Sequence, residues 1–169
     1  MVQEMFRFKD APHVAQDVVY LHDYDLGMAA RLVRGCDLWL NLPRPPMEAS
    51  GTSGMKAVIN GGLNLSTLDG WWAEAYNGTN GWAYNGTNGW ALPGEVDCDH
   101  AAQDARDAAT LFRNARAGGR ARLLSARRLP HSWLARIRAS IRTLAPAFCA
   151  GRMLEDYLQR IYAPTQTSA

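Results

Sequence analysis

Between Glu48 and Lys56 the chain reads Glu-Ala-Ser-Gly-Thr-Ser-Gly-Met-Lys, so five small residues, Ser50 to Gly54, precede a short apolar run. At the start of a helix such a turn exposes backbone N–H groups that no intrahelical carbonyl accepts, with hydroxyls beside them. It can receive a phosphate or another anion. With Thr52 as the N-cap, Lys56 falls one turn later, on the anion's side. Lysine is the side chain that condenses with aldehydes. A phosphate cradle followed by one lysine is what a pyridoxal-phosphate site requires, although a phosphate-binding strand-to-helix turn with an incidental lysine has the same residue types. The spacing matches neither the Walker phosphate loop nor the dinucleotide fingerprint. Composition also sets Lys56 apart: of 18 basic residues 16 are arginine, and the other lysine is Lys9.

Such a turn needs a strand before it and a helix after it. Leu38 to Leu42 read as that strand, ended by Pro43, Pro45 and Pro46, and Met55 to Asn60 read as the helix, stopped at Gly61-Gly62. Leu63 to Leu68 alternate as the next strand and close at Asp69-Gly70. Upstream, Asp17 to Leu21 is a β-rich run that predicts a buried strand. Leu26, Ala29, Ala30 and Val33 then recur at helical spacing before a stop at Gly35. Strand, helix, strand, helix, strand implies right-handed crossovers and a mainly parallel sheet, half of a doubly wound α/β domain.

Trp71 and Trp72 read as packing residues. Residues 75–82 and 83–90 are identical octapeptides, Ala-Tyr-Asn-Gly-Thr-Asn-Gly-Trp. The period is too short for a repeat architecture, and the Asn-Gly pairs mark a surface loop or hairpin that holds an extra unit. Downstream, Trp133, Leu134, Ile137, Ile141 and Leu144 form one apolar helix face. Leu154, Tyr157, Leu158, Ile161 and Tyr162 form another, whose aromatics are expected in the core.

At 169 residues, 47% hydrophobic and 20% charged, the composition is that of an ordinary globular domain. No apolar run approaches a membrane span and the first residues lack a signal-peptide core, so no membrane partner is expected. Three dispersed cysteines and four histidines without ligand spacing point to no disulfide framework, no metal and a cytoplasmic location. Residues 1–107 carry 7 basic and 14 acidic side chains, and residues 108–169 carry 11 and 2. The basic half allows a nucleic-acid binder, but it lacks any such motif. Arginines on solvated helix faces are the expected reading, with no nucleic-acid partner.

Val19 to Asp25, Gly35 to Asn41, Arg44 to Lys56 and Leu68 to Trp72 together resemble the glycogen/α-glucan phosphorylase family, closest to its bacterial α-glucan branch. The likeness covers most of 14–82 and returns over 130–163. It implies a C-terminal fragment with three parts. Residues 1–112 would be a partial Rossmann-like domain, the second half of the C-terminal domain of a GT-B glycosyltransferase fold, with the duplicated loop at 75–90. Residues 113–129 would be irregular, and 130–163 would be the C-terminal helices. The resemblance also implies a retaining glucosyl transfer between an α-1,4-glucan end and inorganic phosphate, giving glucose 1-phosphate, with pyridoxal 5'-phosphate as cofactor. Under it Lys56 would form the Schiff base, Thr52 and Ser53 would hold the cofactor phosphate, and Tyr24 would line the cofactor pocket. Glu48, Ser50 and Gly51 would hydrogen-bond the glucosyl hydroxyls. Asp25 stands where animal-type enzymes have arginine and takes no role.

The family's substrate-phosphate segment and first-domain share of the glucose pocket have no counterpart here. The expected partner is therefore the missing N-terminal part of the enzyme, and the chain alone is expected to be inactive. A non-catalytic remnant or plain anion-binding domain is the alternative. Across 113–129 the likeness gives way to Arg, Ala and Gly, and 108–154 hold ten Arg and no Asp or Glu, the pattern of a compensated frameshift or a decayed gene.

Overall fold

Helical spacing dominates both ends of the chain and short apolar runs its middle, and the fold follows that division. The computed structural model describes residues 2–12, 15, 17–77, 87–96, 99–114 and 131–162. It forms two compact units, Met1–Leu32 and Val33–Ala169.

The first unit holds α1 (Val2–Lys9) and most of α2 (Leu26–Gly35). Asp25 opens α2: its Oδ1 accepts from the Met28 N–H at 2.6 Å, which satisfies an otherwise orphan helix donor. The strand expected at Asp17–Leu21 does not form, and Val19 is 76% exposed. A strand exists only through a ladder partner, and among the described residues this segment has none. The Tyr20 ring packs instead against Phe6 at 5.0 Å and His22 at 4.9 Å between centroids.

The second unit is built on β1 (Leu38–Asn41), β2 (Leu63–Thr67) and β3 (Gly89–Leu92), all parallel in the order β1-β2-β3. Parallel neighbours need crossovers, and α3 (Thr52–Ile59) and α4 (Trp71–Ala75) occupy the two connections. Beyond β3 come α5 (His100–Asn114), α6 (His131–Ala147) and α7 (Ala150–Tyr157). The molecule is therefore the expected parallel α/β unit followed by helices.

Side chains alternate across the sheet, and β2, buried at every position, separates two cores. Leu63, Leu65 and Trp90 face Trp133, with Leu111 and Ile137 packed alongside. On the other side Ala91 meets Val58 of α3, Trp71 and Trp72 of α4, and Leu144 of α6. Trp72 is fully buried and its Nε1 donates to the Trp90 carbonyl at 3.0 Å, so the packing role read for the tryptophan pair holds.

Two further differences concern the C-terminal half of the chain. β3 lies within and beyond the second octapeptide, where the Asn-Gly signals mask a strand. Residues 78–86 of the duplicated loop are outside the described residues, as are 115–130. At the end, α7 continues as a single π-helical turn over Leu158–Tyr162. Leu154, Tyr157, Leu158, Ile161 and Tyr162 are between 46% and 70% exposed instead of lying in the core. Periodicity reports that a helix has an apolar face, not what covers it.

Candidate functional site

Gly51 sits in the left-handed region at φ 88° and is itself the N-cap of α3, with no side-chain cap bond. Thr52 is thus the first helical residue, which corrects the expectation that it caps the helix. The reversal at 51 favours a residue without Cβ, and the helix starts one position earlier than a threonine cap would place it. Gly54 N–H closes the turn onto the Gly51 carbonyl at 3.1 Å. The N–H groups of Thr52 and Ser53 are left without a protein partner among the described residues, and both residues are exposed. Lys56, one turn on, is also exposed, and among the described residues no carboxylate pairs with it.

The structure therefore brings Thr52, Ser53 and Lys56 to the start of one helix, with Glu48, Ser50 and Gly51 in the turn leading into it. Tyr24 belongs to the Met1–Leu32 unit and is 64% exposed there. Arg44, upstream of the turn, is held by both oxygens of Asp104, through Nε at 3.1 Å and Nη2 at 2.6 Å. That bond keeps the Asp104 carboxyl below its usual range, whereas burial pushes the Asp107 carboxyl up.

Sequence reasoning missed three residues that shape the turn. Asp69 Oδ2 accepts from the Glu48 N–H at 2.9 Å and its Oδ1 accepts from the Gly70 N–H at 2.9 Å. The Trp71 N–H donates to the Ser50 carbonyl at 2.9 Å. A methyl on Gly51 would stand 2.8 Å from Glu48 Oε1 and 2.9 Å from Trp71 Cδ1. One on Gly54 would stand 3.0 Å from Asn64 Oδ1 and 3.1 Å from Trp71 Nε1. The available signal was topological: loops after adjacent parallel strands meet at the same carboxyl edge.

A small parallel α/β unit with helices in its crossovers is a partial Rossmann-like domain, and the turn and Lys56 lie at its strand ends. Comparison with known proteins narrows this. Residues 9–78 match the carbohydrate phosphorylase family. Over 170 residues the chain is 39% identical to glycogen phosphorylase of Mycobacterium tuberculosis, covering 99% of this chain and 19% of that protein. It is also 39% identical to glycogen phosphorylase of Aquifex aeolicus, covering 96% of the chain and 22% of the relative. To maltodextrin phosphorylase of Thermococcus litoralis it is 36% identical, covering 99% and 19%. The chain belongs to the carbohydrate phosphorylase family, and it spans about a fifth of the length of these curated relatives.

Proposed function

We propose that the chain is the cofactor-bearing portion of an α-1,4-glucan phosphorylase of the cytoplasm, with pyridoxal 5'-phosphate attached at Lys56. Carrying this reading are the Thr52 and Ser53 N–H groups, without a partner among the described residues, one helical turn from an exposed lysine that pairs with no carboxylate among them. The residues present fit the group. Gly51 and Gly54 let the turn pack closely on Trp71, the two N–H groups and hydroxyls suit a phosphate, and the amine suits an aldehyde. When bound, the cofactor supplies a phosphate that can exchange a proton beside the substrate phosphate.

The chain's own residues bind and orient. Thr52 and Ser53 hold the cofactor phosphate, and Lys56 holds the ring. Glu48, Ser50 and Gly51 orient the glucosyl hydroxyls. Asp69 fixes the Glu48 backbone from beneath. Catalysis by placed charges needs the whole constellation, and this stretch is a fifth of the relatives' length, so we assign it binding without turnover by itself.

Titration of the purified chain with pyridoxal phosphate is expected to give a visible absorbance that Lys56→Arg abolishes. No Lys56-dependent absorbance would reject the cofactor assignment. Glucose 1-phosphate formation from glucan and phosphate by the 169-residue chain alone would reject the assignment of binding without turnover.

A further inference from the structure

The unit carries a polar group with no evident reason to be buried. Asn64, on β2, is fully buried, and neither Nδ2 nor Oδ1 has a hydrogen-bond partner. An apolar side chain of similar shape would fill the position without the cost of an unbonded amide. What surrounds the carboxamide is specific. Its Oδ1 lies 3.0 Å from the place of a Cβ on Gly54, and Trp71 Nε1 lies 3.1 Å from the same point. The indole edge continues beneath Gly51, where Cδ1 and Nε1 lie 2.9 Å and 3.3 Å from the place of a Cβ. Trp71 is 4% exposed and its own N–H is tied to Ser50, so it cannot withdraw without unpacking the core.

We propose that Trp71 and Asn64 are positioning residues for the anion-binding turn. Together they form a buried polar shelf on which Gly51 and Gly54 rest, and the shelf sets the direction of the Thr52 and Ser53 N–H groups between them. The shelf touches no ligand. It acts by fixing a backbone segment that has no side-chain cap to hold it. This deepens the cofactor reading and, in its ligand-dependent part, rests on it.

The test uses the full chain, with Trp71→Phe, which keeps a ring in the core but removes the pyrrole edge, and Asn64→Leu, which keeps the branched shape but removes the polar atoms. Each protein is titrated with pyridoxal phosphate and with pyridoxal, which lacks the phosphate. Both variants are expected to lose about tenfold in affinity for the phosphate form and less than about twofold for pyridoxal. A general loss of structure would lower both together, and that outcome, or no change in either, overturns the proposal. A second measurement needs no ligand. Amide exchange at Gly54 is expected to quicken in both variants while that at Val58 and Leu65 stays as in the wild type. Unchanged Gly54 exchange overturns the shelf. Faster Gly54 exchange in variants of a wild type that takes up no pyridoxal phosphate supports the shelf and rejects the cofactor assignment instead.

Discussion

Gly51 is the residue on which the turn depends most directly. Any other side chain there meets a left-handed backbone, costing about 1–2 kcal/mol, and a closed space, costing about 1–3 kcal/mol more. Gly51→Ala is therefore expected to lower unfolding free energy by about 2–5 kcal/mol, read from the urea midpoint, while Ser50→Ala, at an exposed side chain, stays within about 0.5 kcal/mol. Charge at this scale has a predictable sign on α5. Burial raises the Asp107 carboxyl, and Asp104 and Glu95 add to the rise while Arg106 opposes it. A raised folded-state pKa means stability present at low pH and lost as pH climbs through that value. Asp107→Asn should thus match the wild type near about pH 3 and exceed it in stability near about pH 7, in a series of urea midpoints across that range. Asp104, lowered by its bond to Arg44, has the opposite sign, and its exposure keeps the effect small. Lys56, Thr52 and Ser53 were legible from the sequence because they are contiguous, so local spacing alone places them on one helix start. Asp69, Trp71 and Asn64 reach the turn only through the parallel pairing of β1 with β2, which no local window contains.

Among the elements, β1, α3 and β2 were readable because each is an apolar run bounded by proline or glycine. β3 was not, because its Gly-Trp start also ends a turn-rich octapeptide, and burial of all four residues leaves no alternation. Asp17–Leu21 misled for the converse reason: β propensity without a partner strand makes no strand. The duplicated loop itself is closed at its neck. Asn77 Oδ1 accepts from the Thr87 N–H at 3.1 Å, Asn77 Nδ2 donates to Thr87 Oγ1 at 2.6 Å, and Asn88 Nδ2 donates to the Ala75 carbonyl at 2.8 Å. One copy alone would put two residues between Asn77 and Asn88, and the Asn77–Thr87 bond would become an ordinary Asx turn. Excising residues 78–85 should consequently leave stability unchanged or raise it by about 1 kcal/mol through the shorter closure, as measured by denaturant unfolding. A marked loss would show that the extra unit contributes to packing. At the C-terminal end, Ile161→Ser in the exposed π-helical turn is expected to cost under about 0.5 kcal/mol, whereas Leu144→Ala, 3% exposed, should cost about 2–5 kcal/mol.

For the molecule as a whole, the open side of the sheet decides how it behaves by itself. Parallel sheets are normally covered on both faces, because their crossovers place helices there. Here Leu63 and Leu65 pack with Trp133, but Leu38 and Leu40, their partners on β1, remain 38% and 48% exposed, and Leu42 beyond them 49%. Among the described residues β1 is also an edge strand, so its outward N–H and C=O groups have no ladder partner there. A chain that is a fifth of its relatives' length and shows an apolar stripe beside an open edge is expected to associate with itself. In sedimentation at rising concentration it should form species heavier than 18.7 kDa. Leu40→Lys places a charge in the middle of that stripe at an exposed position, so it should shift the population toward monomer without lowering the urea midpoint. Trp39→Lys, on the half-buried face of the same strand, should lower the midpoint. If both substitutions destabilise equally, the stripe is part of the folded core and the association must be sought elsewhere on the surface.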